Sequence, residues 1–120
     1  MQAMALLGVP YRYGGTSPTT GFDCSGLIHY IYREVAGIQL PRTTAGLSAL
    51  PEGKRSPNAL QPGDLVLFSV KGARKANHAG IYVGEGRFVH APSSGGRVRL
   101  DRLDDRYWRR TFTGARCVLE

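Results

Sequence analysis

Apolar residues recur at helical spacing in the first half of the chain and run together or alternate in the second. In "CSGLIHYIYREVAG", Leu27, Ile28, Ile31 and Val35 fall on one face and predict an amphipathic helix starting at Cys24. Asp23 before it is a good N-cap, because its carboxylate can accept first-turn N–H groups, and Gly37 supplies the stop. Upstream, "MQAMALLGVP" predicts a short amphipathic helix ending at Gly8. The turn-rich loop "VPYRYGGTSPTTGFD" follows, with Gly14, Gly15, Pro18 and Gly21. Downstream, "LPRTTAGLSAL" predicts a second short helix begun near Thr43 or Thr44, and "PEGKRSPNALQPGD" reads as a connection.

From Asp64 the period changes. "LVLF" is a continuous apolar run, and "KGARKAN" reads as a loop. "HAGIYVG" and "RFVHAP" are β-rich runs joined by Gly84-Glu85-Gly86, a hairpin signal. "RVRL" alternates and "ARCVL" closes the chain as a terminal strand. Helices first and a meandering antiparallel sheet afterwards predict an α+β domain rather than a parallel α/β one.

A chain of 120 residues makes one domain, 1–120, large enough for a core without staples. No apolar run approaches the roughly 20 residues of a membrane span. The first residues lack the basic start, long apolar centre and cleavage site of a signal peptide, so a mature or excised domain is expected. There are no internal repeats or low-complexity tracts.

Net charge is +7, which favours anionic partners such as nucleic acid, anionic lipid or acidic cell-wall polymers. Arg97, Arg99, Arg102, Arg106, Arg109, Arg110 and Arg116 thicken toward the end, with Tyr107 and Trp108 among them. Asp101, Asp104 and Asp105 interleave with them and no nucleic-acid motif is present. The cluster therefore reads as a solvated or substrate-facing surface, not a nucleic-acid interface.

The candidate chemistry begins with Cys24 in the first turn of its helix, where the helix dipole and unpaired N–H groups favour a negative charge. Cys117, in the predicted last strand, reads as a buried thiol; a disulfide between the two would consume the thiol at the helix start. Of three histidines, His29 falls off the apolar face and is expected to be solvated. His78 opens one strand and His90 ends the next, so a hairpin turning at Glu85 brings them to the same end. Both can then face the start of the Cys24 helix. A thiol needs a base, and the base a third group to fix its tautomer. Cys24, His78 and His90 supply that set. A zinc site of the same residues is the competing reading, but no CxxC or HExxH spacing accompanies it, so no metal and no cofactor are expected.

Five segments in order, "GVPYRYGG", "FDCSGLIHYIY", "LPRTT", "LQPGDLVLF" and "HAGIYVGEGRFVHAP", resemble the NlpC-type cysteine peptidases of bacterial cell walls, a branch of the papain-like clan. The resemblance spans nearly the whole chain. It implies helices packed on a central antiparallel sheet of about five or six strands, with the cysteine at a helix N-terminus. It implies cleavage of peptidoglycan stem peptides, most often between γ-D-glutamate and a diamino acid such as meso-diaminopimelate. Position by position, Cys24 matches the nucleophile, His78 the base and His90 the third polar residue. Tyr11 matches a cleft tyrosine able to donate to the oxyanion beside the Cys24 N–H. Asp23 and Ser25 match positions that bind a free stem α-amine in some members, and Arg42 a basic position suited to a substrate carboxylate.

The chain departs from the pattern in lacking a glutamine after "LPR" and in carrying Cys117 where a basic residue is usual. The expected setting is periplasmic, envelope-bound or secreted, with a monomer acting on stem peptides and no nucleic-acid partner. An N-acetylmuramoyl-L-alanine amidase is an alternative use of the same triad. An antibacterial effector, which would need an inhibitory immunity protein, is another. A clan acyltransferase fits less well, and a catalytically silent wall-binding module is the reading from a different class.

Overall fold

The computed structural model describes residues 2–50, 54–92 and 96–118. Among the described residues, eight strands and three α-helices follow one another as β1 (Thr16–Ser17), β2 (Gly21–Phe22), α1 (Cys24–Ala36), α2 (Thr44–Ser48), β3 (Lys54–Arg55), β4 (Leu65–Phe68), β5 (His78–Gly84), β6 (Arg87–His90), β7 (Arg99–Arg102), α3 (Arg106–Thr111) and β8 (Phe112–Arg116). A 3-10 turn at Gln2–Leu6 stands where the first short helix was expected. β1 and β2 make a small hairpin inside the loop ahead of α1. The remaining strands form one antiparallel sheet in the order β3-β8-β4-β5-β6-β7, which gives the expected α+β architecture.

The sheet is covered on both sides. Leu65 and Leu67 of β4, Ala79 and Ile81 of β5 and Val89 of β6 pack with Leu27, Ile28 and Ile31 of α1. The alternate residues Val66, Phe68 and Phe88 form a second cluster, closed by Trp108 and Phe112. That is why "LVLF" reads as an unbroken apolar run, since successive side chains on a strand point to opposite faces. Each such burial contributes about 1.5–3 kcal/mol, so β4 anchors both layers at once.

α1 is capped as its sequence predicts. Asp23 accepts from Gly26 N–H, and Gly37 ends the helix at φ 66° with its N–H on the Arg33 and Tyr32 carbonyls. Val35 departs from expectation. It shares the angular face of Ile31 but is 57% exposed, because the last turn runs past the layer that α1 covers. There it borders an open cavity of about 460 Å³ with Leu6 and Tyr30. Tyr32 takes the buried place instead, its hydroxyl donating to the Gly63 carbonyl.

Two strands lie off their predicted positions. Val98 pairs with Val9 through N–H to O at 2.7 Å and Gly8 donates to Val98 O at 2.9 Å. β7 therefore begins at Arg99 rather than Arg97. The terminal strand is Phe112–Arg116, aligned on β4 from Phe68↔Phe112 to Leu65↔Arg116. Cys117 thus lies half-buried just past the strand and not within it. α3 has no counterpart in the sequence reading. It is capped by Asp105, which accepts from Tyr107 N–H and Trp108 N–H.

Candidate active site

Asp23 ties the start of α1 to the loop before it. Its Oδ1 accepts Gly26 N–H at 2.7 Å and its Oδ2 accepts Gly14 N–H at 2.9 Å. Gly26 makes the approach possible: a Cβ there would stand 2.0 Å from the Gly15 carbonyl oxygen. Cys24, between cap and glycine, is half-buried.

Arg42 reaches back from the turn before α2 onto the same carboxylate. Its Nη1 lies 3.1 Å from Oδ1 and its Nη2 3.2 Å from Oδ2, while Nη1 also donates to Ser25 Oγ at 2.8 Å. Fork-on-carboxylate contacts of this kind are stronger and more directional than neutral ones. The three candidate substrate contacts are thus bonded to one another, and Asp23 carries a charge partner without substrate.

Tyr11 is placed by backbone pairing, its N–H donating to Gly96 O at 2.9 Å and its backbone forming an isolated bridge to Phe22. Burial, then the charges of Cys24, Asp23 and Tyr13, push its phenol above the ordinary tyrosine value. It therefore keeps its proton at neutral pH and is able to donate. The Cys24 thiol lies 3.5 Å from the hydroxyl of Thr44, a buried residue of α2. Among the described residues this is the thiol's hydrogen bond, and none joins it to His78.

His78 and His90 are brought together as the hairpin predicts. Gly80 pairs with His90 across β5 and β6, and His78 Nε2 lies 2.7 Å from His90 Nδ1. Both rings sit on the Phe68–Phe88 side of the sheet, under the indole of Trp108. That indole stacks on His78 at 5.6 Å and 26° and meets His90 edge-on at 4.8 Å. Ala79, Ile81 and Val89 are the residues that face α1, so the pleat turns both rings away from that helix's apolar face. α1 nonetheless packs along β5, the strand His78 opens.

His90 Nε2 lies 2.7 Å from Asp101 Oδ2, and Arg99 grips that carboxylate through Nε at 2.9 Å and Nη2 at 3.2 Å. Burial pushes His78 down to about 3, helped by His90 and opposed by Asp101. Burial, then Arg99, hold His90 at about 3 as well. The carboxylate pulls His90 the other way, but with both rings this deeply buried the pair is neutral at pH 7. Two nitrogens on one tetrahedral zinc stand about 3.3 Å apart, so a 2.7 Å contact is hydrogen-bond spacing.

His29 is half-buried rather than free in solvent: its Nδ1 lies 3.1 Å from the Leu40 carbonyl, tying α1 to the segment before α2. Sequence reasoning missed Asp101, Trp108 and Thr44. Ending the strand at Leu100 left Asp101 outside it, although "RLD" alternates correctly for an inward carboxylate. Trp108 was counted with the surface arginines, and without α3 nothing turned it inward.

Residues 8–117 match the NlpC/P60 family. The chain is 42% identical over 117 residues to the murein DD-endopeptidase MepH of Escherichia coli K12, covering 97% of this chain and 43% of that protein. It is 43% identical over 115 residues to the gamma-DL-glutamyl hydrolase of Bacillus subtilis 168, covering 96% and 27%. It thus spans less than half the length of these relatives. Among solved structures, an NlpC/P60 family protein from Bacillus cereus ATCC 10987 superposes with a TM-score of 0.89 at 33% identity, over 98% of this chain and 38% of that one.

Proposed function

Because this chain belongs to the NlpC/P60 family, matched over residues 8–117, we propose that it is a cysteine peptidase hydrolysing peptidoglycan stem peptides through an acyl-enzyme on Cys24. The observation that carries the reading is the buried His78–His90 pair at 2.7 Å, whose His78 opens the strand along which the Cys24 helix packs. A wall-binding module without catalysis has no use for a fully built imidazole pair and a half-buried thiol at a helix start.

His78 takes the Cys24 proton as the sulfur attacks the scissile carbonyl carbon. The helix start favours the developing thiolate. Tyr11 O–H and the Cys24 N–H donate to the oxyanion of the tetrahedral intermediate. Its collapse expels the amine, which leaves with the proton from His78, and water activated by the same ring then frees the acyl group. The thiol's bond to Thr44 must be exchanged for one to His78, in keeping with catalytic hydrogen bonds that tighten only once substrate is bound.

The bond proposed is that between γ-D-glutamate and a diamino acid, which accords with a gamma-DL-glutamyl hydrolase among the relatives. A second reading, cleavage of a DD bond as the name of the other relative states, is favoured by the Asp23–Arg42 pairing, which leaves no bare carboxylate for a stem amine. An envelope or secreted setting follows from the substrate; no helix among the described residues is long and apolar enough to cross a membrane.

Digestion of purified peptidoglycan with mass spectrometry of the fragments tests both layers. Release of fragments ending in γ-D-glutamate, lost in Cys24→Ala, is the expected outcome. Fragments cut at the DD bond would move the assignment to the second reading, and an active Cys24→Ala protein would overturn the mechanism.

A further inference from the structure

Asp101 is not part of the Cys24, His78 and His90 set, yet it ends a continuous chain of hydrogen bonds. The register explains its position. Phe88 pairs with Asp101 and His90 with Arg99 across β6 and β7, so Asp101 sits diagonally beside His90 on one face, within reach of its ring. The carboxylate is half-buried, and its orientation is set by two contacts from Arg99, at 2.9 and 3.2 Å.

Each link in this chain restricts the next. An ionised carboxylate only accepts, so the 2.7 Å contact to Asp101 Oδ2 requires a proton on His90 Nε2. A neutral imidazole carries one N–H, which leaves His90 Nδ1 as an acceptor. The 2.7 Å contact from His78 Nε2 to that nitrogen then requires the proton on His78 Nε2. His78 Nδ1 is left with a bare lone pair.

We propose that Asp101 is a positioning residue of the reaction, fixing the Nε2–H tautomer of His90 and, through it, that of His78, so that His78 Nδ1 is the atom that accepts the thiol proton. When that proton arrives, His78 becomes an imidazolium that keeps Nε2–H directed at His90, and no proton needs to leave the chain. Arg99 holds Asp101 for this task and limits the negative charge it exerts. The competing arrangement is a charged His90 donating to both neighbours. That would place the His78 proton on Nδ1 and leave it unable to act as a base toward sulfur. The burial of both rings and the guanidinium beside Asp101 disfavour it.

The proposal rests on the Cys24 reading for its purpose, but its test does not require turnover. Nitrogen-15 NMR of ring-labelled wild-type protein at pH 7 should show two neutral histidines, 78 and 90, each as the Nε2–H tautomer. An Nδ1–H tautomer at His78, or an imidazolium at His90, would overturn it. In Asp101→Ala the spectrum of His78 should change to a mixture of tautomers. On the proposed substrate kcat should fall about tenfold to a hundredfold with KM little changed, the scale seen when a metal-bound histidine loses its outer carboxylate partner. Unchanged ring spectra in a folded Asp101→Ala protein would also overturn it. Should that variant fail to fold, the wild-type spectrum still decides. Correct tautomers in a protein that retains activity as Cys24→Ala would fault the nucleophile and leave the Asp101 assignment standing.

Discussion

Arg42 shows how one side chain can decide between roles for its neighbours. Asp23 caps α1, and that role was plain from its place before Cys24. The structure adds a guanidinium on both carboxylate oxygens and on Ser25 Oγ. Partly exposed pairs of this kind are worth about 0.2–1 kcal/mol, so Arg42→Ala should melt within a few degrees of wild type. Removing it uncovers the Asp23 charge and the Ser25 hydroxyl, the groups that the resemblance assigns to a stem α-amine. A charge-assisted hydrogen bond is worth about 1.5–3 kcal/mol. The kcat/KM ratio of free-amine over N-acetylated stem peptides should therefore rise about tenfold in Arg42→Ala. An unchanged ratio would leave Asp23 as a helix cap and nothing more.

At the scale of elements, the α1 start and the loop 14–21 behave as one unit. Asp23 N–H donates to the Gly15 carbonyl at 3.2 Å, and Gly26 faces that carbonyl with no space for a methyl group. Overpacking of this sort typically costs 1–3 kcal/mol, here against backbone rather than a flexible side chain. Gly26→Ala should be destabilised by about 2–3 kcal/mol in urea unfolding and should lose activity even where it remains folded, because the loop 14–21 and the helix start that carries Cys24 must move apart. A variant with wild-type stability and rate would show that the loop yields without consequence. The helix itself was legible because its period, cap and stop agree. The offset of β7 was not, since Arg97 and Val98 alternate well enough for a strand but are claimed by Val9 and Pro10, about ninety residues away in sequence.

For the whole molecule, the two buried histidines make stability depend on pH. Their ordinary value is about 6.5, and in the folded protein both lie near 3. Between those limits the unfolded chain binds protons that the folded chain does not, so stability is complete above about 6.5 and falls as pH drops. At pH 5 the loss is at most about 2 kcal/mol for each histidine. Asp101, raised by burial, takes a proton more readily when folded and offsets part of the loss at the acid end. Urea midpoints should decline steadily from pH 7 to pH 4.5. A flat profile from pH 7 to pH 5 would mean that at least one ring is charged in the native state.

The order of α1, α2, β4, β5 and β6, the cap at Asp23, the stop at Gly37 and the hairpin that brings residue 78 near residue 90 could all be read along the chain. Each depends on neighbours within a turn of helix or on a hairpin a few residues long. What sits over the histidines could not. Trp108 reaches them only because α3 folds back across the sheet, and Asp101 reaches His90 only through the register of β6 with β7. Those pairings join segments whose own patterns are equally good in other places. Burial on both faces of the sheet is what selects among them, and burial belongs to the assembled layers rather than to any stretch of sequence.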